Sequence, residues 1–174
     1  RDVQVSLRLS TRGAPVDQGV ERAFTGGGFG ADYNTRDPYT FTPPAEATRA
    51  ELVIILSGHG QTENDNCAEW CDHRHHFTLN GAEIDTVQSV PGIGQLRTCA
   101  LRAVDGVPPG QWGNWAIGRA YWCPGLPVDT LRIDLSDSIL LGEENTLEYR
   151  ASFQGGDPRG GDIALSAYVT WGTD

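Results

Sequence analysis

Hydrophobic and polar positions alternate along this chain in short runs, a period of two that is typical of strands with one buried face. The clearest run, near the C-terminus, places Ile163, Leu165, Ala167, Val169 and Trp171 on one side. Strands are predicted at 1–10, 50–57, 75–80, 129–136, 145–153 and 162–171, with weaker candidates at 20–24, 38–42, 84–89 and 97–104. Asn80-Gly81, between two of these runs, is a pair that favours a two-residue hairpin turn.

A sustained helical period of hydrophobic positions is missing from the sequence. Glycine and proline instead interrupt the chain at short intervals, as at 26–28, 108–110 and 155–156. Many short strands with frequent turns predict an all-β protein. We expect a single jelly-roll β-sandwich of about eight antiparallel strands over residues 1–174.

The charge of the chain narrows the classes of partner. Its 174 residues include 13 basic and 23 acidic ones, which give a formal net charge of −10 at pH 7. Nucleic acids and anionic membrane surfaces are bound by basic faces, so we expect neither as a partner. The apolar runs are also shorter than the roughly 20 residues of a membrane helix, and we expect no membrane insertion.

Four cysteines, Cys67, Cys71, Cys99 and Cys123, form an even set with two interpretations. In a secreted protein they predict two disulfides, and the pairs Cys67–Cys71 and Cys99–Cys123 account for all four. The alternative is a zinc site that combines Cys67 and Cys71 with nearby histidines. We favour the disulfides. The chain has no initiator methionine, so it starts either at a processing site, as after removal of a signal peptide, or at the boundary of a segment. We expect a secreted, cell-surface or periplasmic protein.

The segment 57–77 concentrates candidate chemistry, since it holds all four histidines and two of the cysteines. A bridge between Cys67 and Cys71 would fix Glu69 and Trp70 on a tight turn. A rigid carboxylate beside an aromatic ring on a loop suits the recognition of sugars and other polar ligands. The alternative is that Glu69 only accepts backbone hydrogen bonds within the turn.

The histidines of this segment allow a metal site without requiring one. His73 and His75 lie two residues apart on a predicted strand, so their rings share one face and could hold copper or zinc. His59 follows an apolar strand between two glycines and is a candidate third ligand or binding residue. The alternative, which we favour, is a polar strand end whose imidazoles bond to backbone or carboxylate groups. We therefore expect no cofactor.

A second segment, 108–125, contains three of the five tryptophans together with Arg119. Aromatic rings that stack on sugar faces, beside guanidinium or amide donors, are typical of carbohydrate sites. Trp112, Trp115 and Arg119 are therefore candidates for substrate binding. The alternative for the tryptophans is burial in the core.

The two segments together, with GHG, NCAEWC and HRHHFTLNG followed by QWGNWAIGRAYWCPG, resemble the C-terminal domain of the peptide-N-glycosidase F family over roughly residues 50–171. The resemblance implies one of two jelly rolls that lie side by side. It also implies cleavage of the amide between N-acetylglucosamine and an asparagine side chain, with no metal. Glu69 matches a site glutamate with a supporting catalytic role, Arg119 an arginine that contacts the chitobiose core, and His59 a site histidine. The four cysteines match two disulfides of the family.

The resemblance also assigns the principal catalytic aspartate to the other jelly roll, which residues 1–49 do not resemble. We therefore expect half of an N-glycan recognition and amidase site, inactive alone and completed by a second jelly roll or another copy of the chain. The alternative is a non-catalytic secreted module that binds a glycan or has a structural role. A third hypothesis is a copper- or zinc-binding domain that uses His59, His73 and His75.

Overall fold

A computed structural model describes residues 17–60, 67–88 and 92–173 of the chain. Within these ranges, eight strands form two four-stranded antiparallel sheets that enclose one core. The strands are β1 (Asp17–Gly28), β2 (Tyr39–Phe41), β3 (Arg49–His59), β4 (His73–Leu79), β5 (Ala82–Gln88), β6 (Thr130–Asp134), β7 (Asn145–Phe153) and β8 (Asp162–Gly172). The described helical segments are α1 (Cys67–Trp70) and three 3₁₀ segments, Ala31–Asn34, Ala100–Asp105 and Gln111–Ala116.

The order of the strands is that of a jelly roll. It is β1-β8-β3-β6 in the first sheet and β2-β7-β4-β5 in the second. The chain crosses from one sheet to the other at nearly every connection, which gives the double Greek key of this architecture. The predicted all-β jelly-roll sandwich of about eight antiparallel strands is therefore confirmed.

Most of the predicted strands are present, with ends that differ by a few residues. The exception among the described residues is 97–104, where a strand was predicted and the chain instead forms the 3₁₀ segment Ala100–Asp105. Leu101 and Val104 in this segment are exposed, so their spacing does not mark a buried face. The strand predicted at 1–10 lies outside the described residues.

The hairpin between β4 and β5 forms at the predicted Asn80-Gly81 pair. Both residues have positive φ, 51° at Asn80 and 83° at Gly81. This is the combination that a type I′ turn needs, and its twist matches that of the two strands.

The core lies between the facing sides of the two sheets. Strand β8 contributes the alternating set predicted from the sequence: Ile163, Leu165, Ala167, Val169 and Trp171. The second sheet contributes aromatic and aliphatic residues to the same core, such as Phe77, Leu79 and Tyr149. His73 and His75 lie on this inward face of β4 and are fully buried.

Both predicted disulfides are present, Cys67–Cys71 and Cys99–Cys123. The second bridge forms a small separate core with Val107, outside the sandwich. Trp115 packs against it. Among the described residues, none of the helices has the length and apolar character needed to cross a bilayer.

Candidate functional site

The backbone of Ala120, in the segment 108–125, links helix α1 to the end of β3. The amide of Ala120 donates to the carbonyl of Glu69 at 2.9 Å, and the amide of Gly58 donates to the carbonyl of Ala120 at 3.1 Å. A Cβ atom at Gly58 would lie 1.7 Å from the carbonyl oxygen of Ala68. Only glycine therefore allows this approach, which fixes the position of α1 on the sandwich.

Glu69 and Arg119 form a buried ion pair at this junction. Arg119 Nε donates to Glu69 Oε1 at 2.7 Å, and the two side chains are 1% and 7% exposed, respectively. The amide of Gly60 donates to the other carboxylate oxygen at 2.8 Å. Arg119 Nη2 also donates to Asn114 Oδ1 at 3.1 Å. Both carboxylate oxygens and the guanidinium are thus held by several partners, as a buried pair requires.

Two tryptophan rings enclose the guanidinium of Arg119. Its Cζ atom lies 4.8 Å from the ring centroid of Trp70 and 4.8 Å from that of Trp122. The indole of Trp122 is itself fixed, because its Nε1 donates to the carbonyl of Gly58 at 2.8 Å. Cation–π contacts stabilise a desolvated guanidinium by about 2 kcal/mol.

His59 extends this group of residues toward the surface. Its ring centroid is 5.0 Å from that of Trp122, and its Nε2 lies 2.9 Å from Ser57 Oγ. Glu69, Trp70, Arg119, Trp122 and His59 are called the Glu69 cluster below. His59, Trp70 and Trp122 are the partly exposed members, so a ligand would meet these rings before it met the ion pair.

The structure separates the other two predicted tryptophans from this cluster. Trp112 is fully exposed and has a left-handed φ of 54°, while Trp115 packs on the Cys99–Cys123 core. Asn114 lies between them in sequence and bonds to Arg119, so the exposed loop is connected to the cluster through one amide. Trp112 is thus the ring most open to a large ligand on this side of the molecule.

The guanidinium of Arg119 is poorly placed for direct ligand contact in this geometry. A cavity that borders Arg119 has a volume of about 50 Å³. Sites for small organic ligands are typically about 300 Å³ or larger. The geometry thus suits an arginine that positions Glu69 and the two indoles; contact with chitobiose stays a prediction.

The buried histidines form a separate hydrogen-bonded chain. His73 Nε2 lies 2.9 Å from the carbonyl of Ala68, and His73 Nδ1 lies 2.9 Å from His75 Nε2. His75 Nδ1 is 2.6 Å from the hydroxyl of Tyr149, which is 2.7 Å from that of Tyr33. When every group is neutral, the chain can run in one direction: Tyr33 donates to Tyr149, Tyr149 to His75, His75 to His73, and His73 to the carbonyl of Ala68. Each hydroxyl and each ring N–H then donates one hydrogen bond. Burial lowers the pKa of both histidines and raises that of both tyrosines.

These contacts favour the hydrogen-bonded interpretation of His73 and His75 over metal binding. Every imidazole nitrogen of the pair already has a protein partner. His59 bonds to Ser57 and stacks on Trp122 instead of joining them. Within 17–60, 67–88 and 92–173, three or more His, Cys, Asp or Glu side chains do not come together as a metal site would need.

Sequence reasoning did not single out Trp122 or Tyr149. A signal for Trp122 does exist, because it directly precedes Cys123, as Trp70 directly precedes Cys71. Each disulfide therefore fixes the backbone next to one of the two rings on Arg119. Tyr149 carries no such signal, since an aromatic residue on an inward strand position is expected to be ordinary core.

Residues 31–170 match the family model described as peptide-N-glycosidase F, C terminal. A curated relative, the peptide-N(4)-(N-acetyl-β-D-glucosaminyl)asparagine amidase F of Elizabethkingia miricola, is 32% identical over 133 residues, which are 72% of this chain and 35% of the relative. The solved structure of PNGase F, a glycosylasparaginase from Flavobacterium meningosepticum, is 25% identical, with a TM-score of 0.67 over 89% of this chain and 51% of that one.

A more distant solved structure, PNGF-II, is 14% identical with a TM-score of 0.64, and its likeness concerns the fold alone. The match covers 91% of this chain and 30% of the PNGF-II chain. The chain thus spans about a third to a half of the length of these proteins.

Proposed function

The chain belongs to the peptide-N-glycosidase F C-terminal domain family, and we propose that it supplies one half of a glycan-binding amidase site. The proposed substrate is a glycoprotein or glycopeptide with N-acetylglucosamine on asparagine, the linkage in the relative's name. The second half would come from another jelly roll, since the chain covers only part of each relative. Its two disulfides support a secreted location.

The observation that carries this proposal is the buried Glu69–Arg119 pair between two tryptophans. Burying two charges costs several kcal/mol per ion, and apolar residues of similar volume often stabilise a fold as well or better. The pair is therefore better explained by a site that must be held in one geometry than by stability. Its position on two disulfide-closed loops supports the same conclusion.

The expected division of labour follows from the contacts. Amide hydrolysis adds water to the asparagine carbonyl, breaks the C–N bond and leaves aspartate and a glycosylamine. Both oxygens of Glu69 already accept strong hydrogen bonds, so we assign it a supporting role and assign proton transfer to the partner jelly roll. The rings of Trp70, Trp122 and Trp112 would bind the faces of the sugar residues.

The test separates binding from hydrolysis. The full chain is titrated with an asparagine-linked chitobiose glycopeptide while the indole NMR signals are followed, and glycan release is measured for the chain alone and for its fusion to the N-terminal jelly roll of the amidase relative. We expect shifts of the indole signals, no release by the chain alone and release by the fusion. Trp112→Ala should weaken binding about fivefold, whereas Leu101→Ala, at another exposed apolar residue, should not.

Release of glycan by the chain alone would overturn the half-site proposal. Binding without release by the fusion would favour the alternative function, a secreted glycan-binding module. Absence of both binding and release would reject the Glu69 cluster as a glycan site.

A further inference from the structure

The outer face of the second sheet carries a concave site that the proposed function does not use. A cavity of about 620 Å³ lies there, against the turn that follows α1. Its lining includes Arg74, His76, Arg150, Ser152, Phe153 and Gln154. None of these residues belongs to the Glu69 cluster.

Strand pairing arranges four of these side chains as a square. Arg74 and His76 lie on the outward face of β4, and they pair with Ser152 and Arg150 of β7, respectively. Side chains that lie diagonally across a strand pair have Cα atoms about 7–8 Å apart, within reach of long side chains. Arg74 and Arg150 occupy one such diagonal, so their long side chains can both reach one bound carboxylate.

The two arginines of the square are not held by the side chains that the structure describes. In the part of the chain that the structure describes, neither Arg74 nor Arg150 forms an ion pair or a side-chain hydrogen bond. Two carboxylates lie near the two arginines: Asp72 lines the cavity, and Glu83 Oε2 is 3.8 Å from His76 Nδ1. Neither carboxylate bonds to Arg74 or Arg150, so the N–H donors of both guanidiniums remain available to a bound anion.

His76 is the hydrogen-bonded corner of the square. Its Nε2 lies 2.9 Å from Ser152 Oγ and its Nδ1 lies 3.3 Å from Thr86 Oγ1. Burial, followed by the charges of Arg150 and Arg74, lowers the pKa of His76, while Glu83 on β5 opposes them. The imidazole is therefore a neutral hydrogen-bonding group at pH 7, next to two cations.

A tight turn forms one wall of the cavity. Phe153 and Gly156 exchange two backbone hydrogen bonds around the two-residue loop of Gln154 and Gly155. Gln154 has φ of 50°, a left-handed conformation that costs a residue other than glycine about 1 kcal/mol. With φ of 79° at Gly155, this is the same type I′ turn geometry as at Asn80-Gly81, and it places an amide side chain at the rim.

We propose that this cavity binds an acidic saccharide whose carboxylate is held by Arg74 and Arg150. Its volume is in the range of small-ligand sites, about 300–1,000 Å³, and far exceeds what an inorganic anion would fill. The hydroxyl of Ser152 and the amide of Gln154 can bond to sugar hydroxyls, and the ring of Phe153 offers an apolar surface. This site is independent of the amidase half-site, so either could exist without the other.

The test compares a saccharide that carries a carboxylate with a neutral saccharide and with an inorganic anion. The full chain is titrated by calorimetry with sialyllactose, which carries a carboxylate, with neutral lactose and with inorganic phosphate. We expect binding of sialyllactose, at least tenfold weaker binding of lactose and of phosphate, and a loss of about tenfold for Arg74→Gln and for Arg150→Gln. Arg132→Gln removes an exposed arginine from the other sheet and is the matched control, with no expected change.

A second readout places the ligand at the square. When an anion neutralises Arg150 and Arg74, the pKa of His76 should rise, which the imidazole C–H proton signals show in an NMR titration. Equal affinity for lactose, equal affinity for phosphate, an equal loss for Arg132→Gln or an unchanged pKa of His76 would each overturn the proposal. Because these measurements do not involve chitobiose or hydrolysis, their failure leaves the proposed function untouched.

Discussion

Burial makes one charged pair of this protein far more sensitive to substitution than another of the same chemistry. Arg119 and Glu69 are nearly inaccessible to solvent, whereas Arg132 and Glu51 are 55% and 29% exposed, with a similar N–O distance of 2.6 Å. Exposed pairs stabilise folded proteins by about 1 kcal/mol or less. Removing one partner of a buried pair leaves a charge without compensation in a medium of low polarity.

Glu69→Gln should therefore lower the free energy of unfolding by about 3–5 kcal/mol. Glu51→Gln, the matched change in the exposed pair, should lower it by no more than about 1 kcal/mol. Urea unfolding of the two variants and the parent chain measures both effects. Similar small losses in the two variants would show that Arg119 is compensated by groups other than Glu69.

Individual site residues also show where sequence information ends. The sequence singled out Glu69, Trp70 and Arg119, because each lies beside a cysteine or in a dense aromatic segment. It could not show that Glu69 and Arg119 bond to each other, since 50 residues separate them and only the fold brings them together. It also could not show that the guanidinium of Arg119 is enclosed, because the two rings on either side of it come from different loops.

Among the structural elements, strands were easier to predict than the long segment between β5 and β6. The regular alternation of β8 and the Asn80-Gly81 turn each depend on local geometry, which the sequence records directly. The segment after Cys99 contains apolar residues at similar spacing, yet Leu101 and Val104 face outward. Its shape depends on a disulfide and a small core of its own, and alternation carries no information about either.

The Cys99–Cys123 bridge should control this segment more than the sandwich. The two cysteines are 24 residues apart in the sequence. Replacing both by alanine removes the constraint on this loop and should lower the free energy of unfolding by about 3 kcal/mol. The matched Cys67→Ala and Cys71→Ala variant opens a much shorter loop and should cost about 2 kcal/mol. Thermal unfolding under oxidising conditions compares the two.

Hydrogen exchange can show where loss of the Cys99–Cys123 bridge destabilises the protein. Amides bonded within the segment, such as that of Cys99 to the carbonyl of Ala116 and that of Gly94 to the carbonyl of Gly118, should lose protection before those of β3 and β8. Uniform loss of protection across the sandwich would show instead that the segment and the sheets unfold as one unit.

For the molecule as a whole, the buried histidines make stability depend on pH. His73 and His75 have lowered pKa values in the folded state, and an unfolded histidine has its ordinary value of about 6.5. Below pH 6.5 the unfolded chain therefore takes up protons that the folded chain does not, and the free energy of unfolding falls. The full stability is present above pH 6.5 and is lost as the pH decreases, by at most about 1.4 kcal/mol per pH unit for each histidine.

Urea unfolding at pH 7.5, 6.5 and 5.5 tests this dependence in a range where carboxylates of ordinary pKa remain ionised. His75→Gln should be less stable than the parent at pH 7.5, because Tyr149 and His73 lose a partner, but its stability should fall less between pH 7.5 and 5.5. An identical fall in both proteins would assign the pH dependence to other groups.

Because β8 lies between β1 and β3, the first sheet cannot form completely until β8 has been synthesised. During synthesis β1 and β3 leave the ribosome first, yet in this sheet they are joined only through a strand made about a hundred residues later. The second sheet already has all four of its strands when β7 emerges, whereas the first has only three. Strand pairing over such sequence distances is slow, and apolar strands stay exposed until it is complete. A chain halted before Asp162 would therefore present the unpaired edges of β1 and β3 to the quality-control machinery of the cell.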